Sequence, residues 1–127
     1  GPMSEFVKMK RDNDILVRVI VKKCPGHFVY LSHRNTRTDF PVLTCAVAKR
    51  ADGYAAVVGA TPHLAEVVLD RQGVLTELTD ESISKFAEQV SEEIRFGSNV
   101  RSGAAYRKAV CRVLVKRALE TWKGEQI

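Results

Sequence analysis

"FPVLTCAVAKRADGYAAVVGA", residues 40–60, decides the fold. Two runs of β-branched and small apolar residues flank Ala51-Asp52-Gly53, and an Asp-Gly pair accepts the positive φ of a tight turn. The stretch therefore reads as a β-hairpin: a strand over Phe40–Arg50, a turn over Ala51–Gly53 with Asp52-Gly53 supplying positive φ, and a return strand over Tyr54–Ala60. Pro41 falls at the beginning of the first strand, where a missing N–H costs least.

On the N-terminal side, "HFVYLSH" (His27–His33) alternates, with Phe28 and Tyr30 on one face and Val29 and Leu31 on the other. Cys24-Pro25-Gly26 is a turn, and "ILVRVIVKK" (Ile15–Lys23) before it has the composition of a further strand. Residues 1–14 are polar and charge-balanced. Gly1-Pro2-Met3 reads as a protease scar before a start Met, so 1–14 is expected to be a tag remnant and flexible segment, 15–123 one domain, and 124–127 a tail. On the C-terminal side, Ala65–Leu69 is read as a short strand within "TPHLAEVVLDRQG".

Two helices follow. Ile83, Phe86, Ala87, Val90 and Ile94 share one face of a helix over Thr79–Arg95. Thr79 is its expected N-cap, Asp80 and Glu81 fill the first turn, Arg95 lies in the last, and Gly97 closes it. The final helix spans about Ser102–Trp122, capped by Ser102 or Asn99. Its expected apolar side is Tyr106, Ala109, Val110, Val113 and Leu114, so Tyr106→Ala would cost roughly 3 kcal/mol if that ring is buried. Strands first and helices last define an α+β class: an antiparallel sheet of about four or five strands with two C-terminal helices packed on one face.

A chain of 127 residues with 45% hydrophobic and 28% charged content suits one globular domain. No apolar run approaches the roughly 20 residues that span a bilayer. Cys24, Cys45 and Cys111 form no CxxC pair. They are expected to be free thiols in a reducing cytoplasm, with Cys45 and Cys111 as small buried hydrophobes. His27, His33 and His63 lack metal-site spacing, so no metal ligand is assigned. No GxGxxG or GxxxxGK(S/T) motif occurs, no motif supports a Cys/His nucleophile, and no catalytic residue is assigned.

The net charge is +5, and seven basic residues against one acidic lie between Arg101 and Lys123. Thr79–Arg95 holds five acidic and two basic. Three readings follow: a basic face meeting an acidic neighbour, a protein or cofactor interface, and nucleic-acid binding. The last is the weakest, because no helix-turn-helix, RNP aromatics or zinc finger accompanies the helix. Two stretches remain. "YLSHRNTRTDF" (Tyr30–Phe40) sets an aromatic before a basic polar loop, either as a surface for a planar ring or as a half-buried sheet Tyr with an Asx-type turn. In "SNVRSGAAYR" Arg101 and Arg107 bracket a helix start that either meets an anion or is simply capped.

"SNVRSGAAYRKAVCRVLVKRAL" resembles the closing helix of the flavin subunits of the molybdenum hydroxylases, the group of xanthine dehydrogenase and carbon monoxide dehydrogenase. That family shows Asp-x-Arg-Gly-Ser-x-x-Tyr-Arg-(Arg/Lys), then Val-Leu-x-(Arg/Lys)-Arg-Ala-Leu. Arg101, Tyr106, Arg107, Lys108, Val113, Leu114, Lys116, Arg117, Ala118 and Leu119 match it. Asn99 stands in place of the Asp, Ser102-Gly103 reverses the Gly-Ser order, and Leu31 and Ser32 replace lysines common after the strand aromatic. "FPVLTCAVAKR" after Asp39 is similar to the family's Asp-aromatic-Pro-Val-x-(Ser/Thr)-x-Ala-Val-Ala strand, and "VVGATP" to its Gly-Ala-x-x-x-Pro turn.

The resemblance, which covers about Ile15–Trp122, implies the C-terminal domain of such a subunit. The parent would be an oxidoreductase that passes electrons from a molybdenum cofactor through 2Fe-2S clusters on partner subunits or domains to FAD, then to NAD or another acceptor. N-terminal FAD-binding domains would hold the cofactor, so this domain alone is expected neither to bind FAD tightly nor to be active. It would cover one side of the isoalloxazine ring and contact the other domains and the molybdenum and iron–sulfur subunits. The ring-facing aromatic position falls on Tyr30, and the family's Asp before the central strand falls on Asp39. A non-enzymatic interaction module of the same α+β class is the alternative.

Overall fold

The computed structural model describes residues 1–125. After a short helical turn α1 (Met3–Phe6) come β1 (His27–Arg34), β2 (Pro41–Arg50), β3 (Gly53–Gly59) and β4 (Glu66–Leu69). Helices α2 (Asp80–Glu93) and α3 (Ala104–Glu120) complete the chain order. The strands form one antiparallel sheet in the order β1-β2-β3-β4, which bears out the α+β reading and the strand before Asp70.

The central hairpin forms with Arg50 opposite Gly53. Positive φ is confined there to Gly53, at 115°, and Asp52 does not share it. Asp52 contributes through its carboxylate, which takes two bonds from the Arg50 guanidinium at 3.0 and 3.1 Å.

Alternation divides the sheet. Leu43, Cys45 and Val47 of β2, Ala56 and Val58 of β3 and Val68 of β4 are buried on one face, with Val29 and Leu31 of β1 packed beside them. Both helices lie on that face. Ile83, Phe86, Ala87 and Val90 of α2 and Cys111, Leu114, Val115, Ala118 and Leu119 of α3 complete the core. Trp122 closes one end against Tyr54, their ring centres 6.1 Å apart. Burial on this scale supplies the main stabilising term; truncating a buried ring such as Phe86 would cost about 3–5 kcal/mol.

Four expectations need correction. First, Ile15–Lys23 is not a strand: β1 is an edge of the sheet, and Ile15 is 86% exposed, with Val17 and Val21 similarly bare. A β-branched run prefers a pleated, half-buried surface, and here no neighbouring strand provides one.

Second, α2 starts as expected, in a capping box between Thr79 and Ser82, but it ends at Glu93. Arg95 therefore lies outside the last turn, and its N–H donates to Glu66 Oε1 at 3.2 Å. Gly97 is not a left-handed cap. Its N–H donates to the Thr61 carbonyl at 2.8 Å, and a Cβ there would sit 3.0 Å from that oxygen and 3.2 Å from His63 Nε2. The glycine permits close approach of two loops.

Third, α3 is capped by neither Ser102 nor Asn99. Its N-cap is Gly103, and Ser98 Oγ accepts from the Ala104 N–H at 2.9 Å. Fourth, α3 is rotated from the expected face. Of the five side chains assigned to its apolar side only Leu114 is fully buried, while Tyr106, Ala109 and Val113 are exposed. The buried set is Arg107, Cys111, Leu114, Val115, Ala118 and Leu119. Leaving Arg107 out of the apolar spacing hid that face. Tyr106 is 51% exposed, with its hydroxyl 3.0 Å from His33 Nε2, so Tyr106→Ala should cost about 1 kcal/mol.

The acidic and basic helices do pack as complementary neighbours. Lys108 meets Glu92 at 2.8 Å, Arg112 meets Glu88 at 2.8 Å, and Lys123 meets Asp80 at 2.6 Å. These pairs are solvent-facing and set the helix register more than they stabilise the fold.

Cys45 and Cys111 are buried, and loss of solvation pushes both thiols up to about 12, whereas Cys24 is exposed. A thiol-exchange reagent at pH 8 should therefore titrate Cys24 alone in the folded protein and all three cysteines after unfolding. Rapid reaction of a second thiol in the native state would contradict the packing of α3 on β2.

Candidate functional site

Among the described residues no helix covers the second face of the sheet. Its middle row runs Tyr30, Ala46, Val57, Val67 across the four strands, and the next row runs Phe28, Ala48, Ala55, Leu69. Tyr30 is 63% exposed, and Phe28 and Val67 are also bare. Large side chains stand on the outer strands, and the central pair carries Ala46, Ala48 and Ala55 around a single Val57, so the face is predominantly apolar. With strands about 4.8 Å apart, β1 and β4 lie roughly 14 Å from each other. Gly59 extends the flat floor: a Cβ there would meet Thr44 Oγ1 at 2.8 Å.

One end of this face is braced by the two stretches singled out in the sequence, which the fold brings together. Arg101, from the loop before α3, reaches Asp39 Oδ1 through Nε and Nη2, both at 3.2 Å. The same oxygen accepts the Phe40 N–H at 2.7 Å, and Arg34 Nη1 donates to the Asp39 carbonyl at 2.5 Å. Asn35 Nδ2 donates to the Arg101 carbonyl at 3.2 Å, and the Arg101 guanidinium lies 5.0 Å over the Phe40 ring. The Phe40 N–H first, and then Arg101, hold the Asp39 carboxyl below its usual range.

Beneath this brace lies Arg107, counted in the sequence among the basic residues of the last helix. It is 1% exposed. Its Nε donates to the Val42 carbonyl at 2.9 Å, Nη1 to the Gly97 and Ser102 carbonyls at 2.9 and 2.6 Å, and Nη2 to Asn99 Oδ1 at 2.7 Å. All four acceptors are neutral oxygens. Burial, with the nearby Arg101 charge, lowers the guanidinium's pKa, though an arginine remains charged. Asn99 Oδ1 also accepts the N–H groups of Arg101 and Ser102, at 3.0 and 3.4 Å. The signal that locates Arg107 is its spacing: 107, 111, 114 and 118 form one helical stripe with the buried Cys111, Leu114 and Ala118.

Tyr30 and Asp39, paired in the sequence reading as cofactor-binding residues, do not form one cluster. Tyr30 lies on the open face, four residues before Arg34 and so roughly 13 Å along the strand from the brace. The Asp39 carboxylate is engaged by Arg101 and the Phe40 amide. The open face sets the exposed Tyr30 and Phe28 of β1 beside the aliphatic Ala46, Ala48, Ala55 and Val57.

The architecture places the chain among α+β domains with a one-sided helical layer. A family model described as the CO dehydrogenase flavoprotein C-terminal domain matches residues 29–122, and the chain belongs to that family. Among solved structures, it is similar to a carbon monoxide dehydrogenase from Hydrogenophaga pseudoflava that lacks the Mo-pyranopterin moiety of the molybdenum cofactor. That match has a TM-score of 0.62 and 19% identity, over 80% of this chain and 38% of that one. It is also similar to quinoline 2-oxidoreductase from Pseudomonas putida 86, with a TM-score of 0.60 and 13% identity, over 76% of this chain and 36% of that one. Both likenesses show the fold, and the chain spans little more than a third of either. No curated protein matches. The family match starts at Val29, inside β1, and leaves Ile15–Lys23 outside it. No helix among the described residues is long and apolar enough to cross a membrane.

Replacing Arg107 with Gln should strand several buried oxygens and lower stability by about 3 kcal/mol or more, read from denaturant unfolding. Asn99→Asp should raise stability by on the order of 1 kcal/mol at neutral pH, because its acceptor would become charged toward Arg107. Acid sensitivity has a definite sign. The folded-state pKa values of Asp39, Asp80 and Glu92 are depressed by hydrogen bonds and basic neighbours. Their contribution is present above the unfolded carboxylate range near pH 4 and is lost as pH falls through the depressed folded values. The thermal midpoint should therefore drop steadily below about pH 4, and Asp39→Asn should flatten part of that drop.

Proposed function

We propose that this domain is the C-terminal part of the FAD subunit of a molybdenum hydroxylase and that its open sheet face covers one side of the flavin ring. The observation that carries this reading is Tyr30: an aromatic exposed on a helix-free face, beside small residues that leave room for a flat ring. Membership of the flavoprotein family supplies the cofactor class. When bound, FAD would supply the redox chemistry between iron–sulfur clusters on partner subunits or domains, fed by a molybdenum centre, and NAD or another acceptor.

The work of this chain is then physical. Tyr30 stacks on the ring and excludes water from one side of it. Asp39, held by Arg101, fixes the loop between β1 and β2 and so the edge of the covering face. The N-terminal FAD-binding domains of the parent hold the rest of the cofactor. The exposed aliphatic run Ile15–Lys23 supports contact with those domains, since an apolar stretch of that kind is poorly suited to water. Lys108 and Arg112 of α3, and Lys123 just beyond it, bind α2 through their ion pairs.

The test is made on the parent protein with its upstream domains, loaded with FAD. Tyr30→Leu should increase flavin emission, because a stacked tyrosine quenches it, and should shift the visible absorption bands. Thermal melting of the FAD-free protein should change little, because Tyr30 is exposed. Unchanged emission and absorption would remove Tyr30 from the ring and the reading with it.

A further inference from the structure

We infer that Ala46 is the floor of the ring site, a residue whose small size sets the depth at which a planar ring rests beside Tyr30. This deepens the ring-covering reading and rests on it. Strand β2 divides its side chains by size. Leu43, Cys45 and Val47 fill the core face, while Thr44, Ala46 and Ala48 occupy the open one. On the adjoining β3 the same face carries Ala55, Val57 and Gly59, with Val57 opposite Ala46.

Alanine and glycine are poor strand formers, and a bare sheet face favours β-branched or polar residues at its centre. Ala46 and Ala48 of β2 and Ala55 of β3, set around the one β-branched Val57, therefore sacrifice strand propensity, and a group seated close to the backbone of β2 gives that choice a use. Gly59 has a local reason in Thr44; Ala46 has none of that kind. It is the cross-strand partner of Tyr30, partly exposed, with Val57 and then Val67 beyond it. A ring stacked on the side of Tyr30 would have the Ala46 methyl beneath it. A branched side chain at that position would stand in the space the ring uses.

The experiment uses the FAD-loaded parent with Ala46→Leu, Ala46→Val, Ala46→Gly and Tyr30→Leu, comparing flavin emission, FAD dissociation constant and melting of the FAD-free protein. Ala46→Leu is expected to raise emission and weaken FAD binding about tenfold, as overfilling a packed site does. Ala46→Val should lie between it and the unaltered protein, and Ala46→Gly should stay close to the latter. Melting without FAD should vary little across the series, which separates obstruction of the ring from damage to the sheet; if Ala46→Leu does not fold, the Val and Gly variants decide. If Tyr30→Leu alters emission while Ala46→Leu or Ala46→Val leaves emission and affinity unchanged, the floor assignment is overturned and the ring contact stands. If Tyr30→Leu has no effect, protein rather than the ring covers this face, and the inference falls with the reading it rests on.

Discussion

A guanidinium taken out of water must have its N–H groups met, and the geometry of this domain's end follows from how Arg107 meets them. Its partners come from the start of β2, from the loop after α2 and from the turn before α3. One side chain thus ties the sheet to both helices. Because the acceptors are carbonyls and an amide oxygen, the bond directions depend on the backbone path of each loop. Changing any of those paths would leave a buried oxygen or a buried charge without a partner, and both are costly. The start of β2 and the loop between α2 and α3 are in this way fixed by chemistry rather than by packing alone.

That constraint propagates outward. With the Gly97–Ser102 loop held, Arg101 is in place to bind Asp39 and lie over Phe40, and the β1–β2 loop is drawn toward α3. Gly97 adds a second tie, to Thr61, which joins the loop after β3 to the same end. The helices occupy one sheet face completely, and their ion pairs fix their mutual register. The other face is left with its aromatics on β1 and with alanines around Val57 at its centre. A rigid, one-sided sheet of this kind is suited to covering something flat, with the braced loop at the edge of the cover.

Much of this was legible in the sequence because the relevant signals are local. Alternation in residues 27–33, the Asp52-Gly53 turn, and the apolar spacing of Ile83, Phe86, Ala87 and Val90 each specify their element without distant help. The face on which Tyr30 lies followed from the same alternation. What failed depended on partners. Ile15–Lys23 has strand composition, but a strand exists only where another backbone pairs with it. Gly97 resembled a helix cap, whereas its glycine is required by Thr61, more than thirty positions earlier. The buried face of α3 was missed because Arg107 is classed as polar, although its period with Cys111, Leu114 and Ala118 was visible. The meeting of Asp39 with Arg101 was also out of reach, since it depends on how β1, β2 and α3 are arranged in space.

The central claim is that the helix-free face, with Tyr30 at its wall, lies against the flavin ring in the parent protein. A crystal structure of the FAD-loaded parent tests it most directly. The account predicts the Tyr30 ring in van der Waals contact with one side of the isoalloxazine and the Arg107 network intact behind it. A structure in which another domain packs on Tyr30 and Ala46, with the flavin ring elsewhere, would contradict it.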